Sequence, residues 1–170
     1  MASFASSYIP TTSATVTRAV DVPTIAGTNF SDWFNQATGT ITIQAKSPGS
    51  GTRVVWQADD GTANNRYTLY TTGTSLKFDV VTGGVTQASL TLGTIIANTT
   101  FKAACAFAAD DIAAVLNAGT VQTDAVATLP TVDRYRLGSD TTGNYLCEHI
   151  ERNVAYPARL SNALLASLIA

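Results

Sequence analysis

Gly39-Thr40-Ile41-Thr42-Ile43-Gln44-Ala45-Lys46 alternates polar and apolar side chains at a period of two. Successive strand side chains point to opposite faces, so this run gives a strand with one wet face and one buried face. Arg66-Tyr67-Thr68-Leu69-Tyr70 and Leu76-Lys77-Phe78-Asp79-Val80 repeat the pattern. Segment 101–109 is alanine-rich and favours helix by propensity. Yet Phe101, Ala103, Cys105 and Phe107 fall on one face at period two, and the flanking pattern is all strand, so it reads as a strand. Val54 and Trp56, two apart, are expected to share a face, which places Trp56 in the core.

Turn signals separate these runs at short intervals. They are Pro48-Gly49-Ser50-Gly51, Asp59-Asp60-Gly61, Thr72-Gly73, Gly83-Gly84, Asn117-Ala118-Gly119, Gly138-Ser139-Asp140 and Thr142-Gly143-Asn144. Glycine supplies positive φ in such turns, and Asn or Asp tolerates it. The pattern gives about ten to twelve strands, and hence a sandwich or barrel. Only the C-terminus reads as helix. After Pro157, Ser161 can cap the run 162–170, and Leu164, Leu165 and Leu168 form a stripe expected to lie on the sandwich. A short turn or helix over 29–35 would hold Trp33 and Phe34. The expected fold is all-β: an antiparallel jelly-roll β-sandwich with a short C-terminal helix. It forms a single domain over 1–170, with 1–12 as an extended lead-in.

The composition limits the partners. Of 170 residues, 45 % are hydrophobic and only 13 % charged, against about 25 % charged in a typical soluble domain. Neutral Thr, Ser, Asn and Gln must therefore cover the surface, which suits packing against copies of the chain or contact with sugars. The formal net charge is −2 and Lys and Arg do not cluster. Arg134 and Arg136 read as two solvated residues on one strand face, too little for nucleic acid. No apolar run approaches the ~20 residues that span a bilayer, so no membrane insertion is expected. The N-terminus, MASFASSYIP, lacks the basic-then-apolar pattern of a signal peptide.

Catalytic constellations fare poorly. The one histidine, His149, lies in Tyr145-Leu146-Cys147-Glu148-His149-Ile150, which reads as a strand. Cys147 and His149 would then share a face ~7 Å apart, too far for a nucleophile–base hydrogen bond. Cys105 and Cys147 read as packed small hydrophobes, with a single disulfide between distant strands as the alternative. Glycoside hydrolysis needs two carboxyls ~5–5.5 Å or ~6.5–9.5 Å apart. The only two glutamates, Glu148 and Glu151, are three apart and fall on opposite strand faces unless a bulge intervenes. No enzyme is expected. Loop 59–65, Asp59-Asp60-Gly61-Thr62-Ala63-Asn64-Asn65, holds two carboxylates and two amides without EF-hand spacing. Calcium is a weak reading there, and self-capping of the turn is the plainer one. No other cofactor is indicated.

Three stretches carry a family resemblance. The opening, Ser6-Ser7-Tyr8-Ile9-Pro10-Thr11-Thr12 followed by Val16-Thr17-Arg18-Ala19-Val20-Asp21, resembles the start of a phage tail-associated domain family. Asp60-Gly61-Thr62-Ala63-Asn64-Asn65-Arg66 is similar to its central turn. His149-Ile150-Glu151-Arg152-Asn153-Val154-Ala155-Tyr156-Pro157-Ala158-Arg159-Leu160-Ser161-Asn162 resembles its close. Glu148 and Cys147 depart from it, standing where the family has Gly and often Asn. Such domains resemble concanavalin A-like lectins and laminin G modules on virion surface proteins of double-stranded DNA phages. The resemblance implies a tail-fibre or tailspike protein on the phage particle surface, assembled in the bacterial host cytoplasm. Its partners would be other virion proteins, copies of itself in a homotrimer, and a host surface glycan. The alternative is an architectural capsid-decoration or tail-assembly piece without a ligand, either stand-alone or excised from a longer chain.

A glycan patch is expected where loops 59–66 and 139–144 meet at one end of the sandwich. Asp60, Asn64, Asn65, Arg66, Asp140 and Asn144 would supply hydrogen bonds, and Tyr67 or Tyr145 a stacking face. Trp33, Trp56 and Tyr70 are the other aromatic candidates. The plainer reading is that Asn64 and Asn65 only shape their turn.

Overall fold

The computed structural model describes residues 21–47 and 49–170. The lead-in and most of the opening motif lie outside them. Eleven strands are present among the described residues. One sheet holds β1 (Thr24–Ala26), β3 (Arg53–Asp59), β4 (Arg66–Thr72), β5 (Ser75–Thr82), β6 (Val85–Thr94) and β10 (Arg134–Leu137), in spatial order β1-β10-β3-β4-β5-β6. The second holds β2 (Thr38–Lys46), β7 (Thr100–Ala108), β8 (Asp111–Leu116), β9 (Gln122–Asp124) and β11 (Ile150–Tyr156), in order β11-β2-β7-β8-β9. Every neighbouring pair is antiparallel. The alanine-rich segment is strand β7, because its period-two face outweighs helix propensity once β2 and β8 pair on either side.

The alternation read from sequence sets the core. From the six-stranded sheet Trp56, Tyr67, Leu69, Phe78 and Val80 are buried; from the five-stranded sheet, Ile41, Ile43, Cys105, Phe107 and Ile112. Helix α1 (Thr28–Ser31) and the turn after it add Phe30 and Phe34, and Phe34 stacks on Phe107 with centroids 5.6 Å apart. Gly39 lies under the same ring: a Cβ there would come within 2.5 Å of Phe107 Cζ. Trp33 packs edge-on against Phe30, Phe34 and Tyr135 and so belongs to the core margin.

A second apolar layer lies outside the five-stranded sheet. Helix α2 (Asn162–Leu168) starts as expected, with the Ser161 hydroxyl accepting the Leu164 N–H. Of the expected stripe, only Leu165 is buried. Leu165 and Ile169, four apart, pack on Ala104, Ala106, Ala113 and Val115. Leu164 and Leu168 are 50 % and 40 % exposed. The i, i+4 pair Leu165 and Ile169 faces the sheet, and the leucines beside it flank the contact.

Five further expectations are corrected. A bulge at Val55 breaks the alternation of β3: Val54 pairs with Tyr70 and Trp56 with Leu69, so Val54 and Trp56 face opposite ways. Trp56 is buried all the same. Residues 145–149 form no strand. Single bonds hold that segment, Leu146 N–H to Gly138 O (2.9 Å) and Lys46 N–H to His149 O (2.8 Å). Cys147 there has φ +56° and is exposed, while Cys105 is buried; both are free thiols. A bulge does fall between Ile150 and Arg152, but Glu148 precedes the strand, and the Glu151 carboxylate takes the Gln44 amide and the Thr100 hydroxyl. Arg134 and Arg136 are not simply solvated, because both lie against the buried Asp59 carboxylate.

Candidate functional site

The outer face of the six-stranded sheet is polar. Opposite the core-facing residues, β3 presents Gln57 and Asp59, β4 presents Arg66, Thr68 and Tyr70, and β5 presents Asp79. A hydrogen-bonded row crosses these strands. Thr68 donates its hydroxyl to Gln57 Oε1 (3.0 Å), and Gln57 Nε2 donates to Asp59 Oδ2 (3.0 Å). Asp59 is fully buried and also accepts from Arg136 Nε (2.8 Å) and from the Gly61 N–H (2.7 Å), with Arg134 Nε at 3.8 Å. The two arginines of β10 therefore hold a buried carboxylate, and through it the start of loop 60–65. Further along, Tyr70 donates to Asp79 Oδ2 (2.8 Å) and Ser89 to Asp79 Oδ1 (2.7 Å). Burial, with the Asp79 carboxylate behind it, pushes the Tyr70 phenol above its ordinary range, and Arg66 opposes this in part.

Above this row is an open cleft of about 280 Å³, near the lower end of the range for small-molecule sites. Its floor is Val54, Gln57, Thr68, Tyr70 and Asp79. Ala63 and Arg66 wall one side; Asp140, Thr141, Thr142 and Asn144 wall another. The two predicted loops thus do converge, but across a sheet face and not at one end of the sandwich. Loop 60–65 leaves the end of β3 at Asp59. Loop 138–149 leaves β10 beside Trp56 and reaches back, Asn144 O accepting the Val54 N–H (3.3 Å).

Each loop is shaped by its own aspartate. Asp60 accepts the Thr62 N–H (2.8 Å), the Thr62 hydroxyl (2.6 Å) and Asn65 Nδ2 (2.8 Å). Asp140 accepts the Thr142 and Asn144 N–H groups (2.8 and 3.0 Å), the Thr142 hydroxyl (2.9 Å) and Asn144 Nδ2 (2.7 Å). In both, burial raises the carboxyl pKa, but these hydrogen bonds outweigh it and hold the group below its ordinary value. Asn65 Oδ1 accepts the Gly83 N–H (2.9 Å), and the Asn64 carbonyl accepts the Gly84 N–H (2.9 Å), tying the loop to the β5–β6 turn.

Of the predicted site residues, Arg66, Asp140 and Asn144 line the cleft. Asp60, Asn64 and Asn65 hold their turn. Tyr67 is fully buried, with its ring centroid 4.4 Å from that of Phe107, and offers no stacking face. Tyr145 is half-buried against Gly143, outside the cleft lining. Gln57, Thr68 and Asp79 also line the cleft, outside the expected patch. Their signal was the alternation itself, which sends Thr68, Tyr70 and Asp79 to the face opposite Tyr67, Leu69 and Phe78. Asp59 takes four protein donors and Asp60 three. No group of three or more His, Cys, Asp or Glu is placed to hold a metal among the described residues.

No protein-family model and no curated protein matches the sequence. Solved structures do match in fold. The CBM40 domain of a Ruminococcus gnavus IT-sialidase, bound to α2,3-sialyllactose, superposes with a TM-score of 0.67 at 17 % identity, over 80 % of this chain and 84 % of that one. The NanB sialidase from Streptococcus pneumoniae gives 0.69 at 12 % identity, over 85 % of this chain but only 26 % of the sialidase. Domains LG4-5 of the mouse laminin α1 chain give 0.57 at 10 % identity, over 75 % and 38 %. At these identities the likeness is one of fold: a concanavalin A-like, jelly-roll lectin sandwich.

Proposed function

We propose that this sandwich is a glycan-binding module whose ligand lies in the cleft over β3, β4 and β5. The observation that carries the reading is the cleft itself: two loops far apart in sequence wall a strip of strand-borne polar side chains. Strands hold Gln57, Thr68, Tyr70 and Asp79 in fixed positions, so little ordering is needed when a ligand arrives. Sugar hydroxyls both donate and accept. Asp79 can accept from them, the Arg66 guanidinium can donate, and the Tyr70 ring gives an apolar face beside Val54. Lectin-like neighbours, one of them holding a sialylated sugar, support the same reading.

The virion setting is part of the proposal and is supported by the sequence resemblance. In it the chain is a tail-fibre or tailspike component on the phage particle, a homotrimer that meets host surface glycan. Light scattering on the intact chain tests the trimer, and a strict monomer at tens of micromolar contradicts it. For the cleft, the test is adsorption to a glycan array by the parent chain and by Arg66→Ala. Loss of a charged hydrogen bond removes about 1.5–3 kcal/mol, roughly ten- to hundredfold in affinity. The melting temperature should move by no more than a few degrees. Undiminished adsorption by Arg66→Ala places the ligand elsewhere. No adsorption by the parent chain favours the architectural role.

A further inference from the structure

Five of the groups that line the cleft already donate to the protein. The Thr68 hydroxyl gives its proton to Gln57, and the Gln57 amide donates to Asp59. The Tyr70 hydroxyl gives its proton to Asp79. The Thr142 hydroxyl donates to Asp140, and the Asn144 amide donates to both Asp140 and Thr142. A hydroxyl has one proton to give, and lone pairs remain after it is given. What they still offer an incoming molecule is mostly acceptors: the Thr68, Tyr70 and Thr142 hydroxyl oxygens, Asn144 Oδ1 and the unused lone pairs of Asp79, while Asp140 already takes four donors. The donors left are one Gln57 N–H, the other Arg66 N–H groups and the Thr52 and Thr141 hydroxyls. The charges point the same way. Three charged side chains line the cleft, Arg66, Asp79 and Asp140, and two of them are carboxylates. Arg66 is partly engaged, since its Nη1 donates to the Ala63 carbonyl, and its field at Tyr70 is opposed by that of Asp79.

From this acceptor-lined cleft, resting on the glycan reading above, we infer that the ligand is an uncharged, hydroxyl-rich sugar and that carboxylated, sulfated or phosphorylated sugars are excluded at the bound position. A neutral sugar brings hydroxyl donors to match the acceptors. A carboxylate or sulfate brings only acceptors and a negative charge. It would meet unpaired lone pairs on the floor and like charge at Asp79 and Asp140, with one partly engaged cation in return. The sialylated ligand of the CBM40 neighbour therefore does not carry over with the fold.

The test is calorimetric titration of the intact chain with a neutral oligosaccharide chosen from the array. The same oligosaccharide, capped with sialic acid or sulfate on the sugar that binds, is titrated alongside. The neutral form should bind at least about tenfold more tightly, the penalty of one like-charge contact near a protein surface. Its affinity should be nearly independent of salt, since no ion pair forms. Asp79→Asn should narrow the gap between the two forms by removing one charge. Equal or tighter binding of the capped form overturns the inference while leaving the glycan reading standing. Failure of both forms, and of the whole array, overturns the glycan reading and this inference with it.

Discussion

Asp59→Ala removes the carboxylate on which two strands and a loop converge. Asp59 is fully buried and accepts from Arg136 Nε at 2.8 Å, Gln57 Nε2 at 3.0 Å and the Gly61 N–H at 2.7 Å. After the substitution, Arg136, whose side chain is 13 % exposed, keeps its charge without this partner. Arg134, at 31 %, is wetter and retains Asp133 at 2.7 Å. Breaking a buried pair costs about 3–5 kcal/mol. The partial exposure of both arginines puts this case near the lower end, about 3 kcal/mol. For a chain of this length that corresponds to a fall of roughly 6–12 °C in melting temperature. Differential scanning calorimetry reads it directly. Hydrogen exchange should localise the damage to β10 and loop 60–65, because the Gly61 N–H loses its acceptor. Asp59→Asn keeps the shape and one acceptor but not the charge, and should fall between the two. A melting temperature for Asp59→Ala within about 2 °C of the parent, less than 1 kcal/mol, refutes the claim that this ion cluster holds β10 to β3.

Helix α2 gives a paired prediction: Leu165→Ala should cost about 2–5 kcal/mol and Leu164→Ala no more than about 0.5 kcal/mol, compared by urea unfolding. The folded-state pKa of Asp140 lies below its unfolded value, so its stabilising contribution is present above about pH 5 and is lost as pH falls through the folded value. Asp140→Asn should accordingly be less stable at neutral pH and lose less stability than the parent on acidification, as seen in melting temperatures from about pH 2 to pH 6. The exposed Cys147 thiol should react with a thiol reagent in the native state. Cys105, buried and with its thiol pushed up by that burial, should react only on unfolding; two fast thiols would contradict the β7 register.

Much of the fold was legible because it rests on period-two burial. The alternation of 39–46, 66–70 and 76–80 places each strand and each face, and β7 follows it in spite of its alanines. The same rule places Tyr67 with Leu69 in the core and Thr68 and Tyr70 outside, so Tyr67 as a stacking face conflicted with the pattern that defined its own strand. The Val55 bulge left no such signal, because β3 is apolar on both faces at that point and an inserted residue does not show in an apolar run. Cys147 reads as alternating with its neighbours, yet tertiary bonds at Leu146 and His149 draw that segment out of the sheet. In α2 the choice between Leu164 and Leu165 depends on which side of the helix meets β7 and β8, and Ile169 decides it. The cleft was half legible. Its loops are rich in Asp, Asn and Thr, but their meeting over a sheet face depends on β10 pairing beside β3, which is a contact distant in sequence.

The proposed glycan site lies on the outer face of the six-stranded sheet. Titrating the isotope-labelled chain with a neutral oligosaccharide and following backbone amide shifts by NMR tests it most directly. Binding in the cleft gives saturable shifts at Gln57, Arg66, Thr68, Tyr70 and Asn144, with Thr42, Gln44 and Arg152 on the other sheet unmoved. Shifts confined to the five-stranded sheet or to α2, with the cleft residues silent, would contradict it.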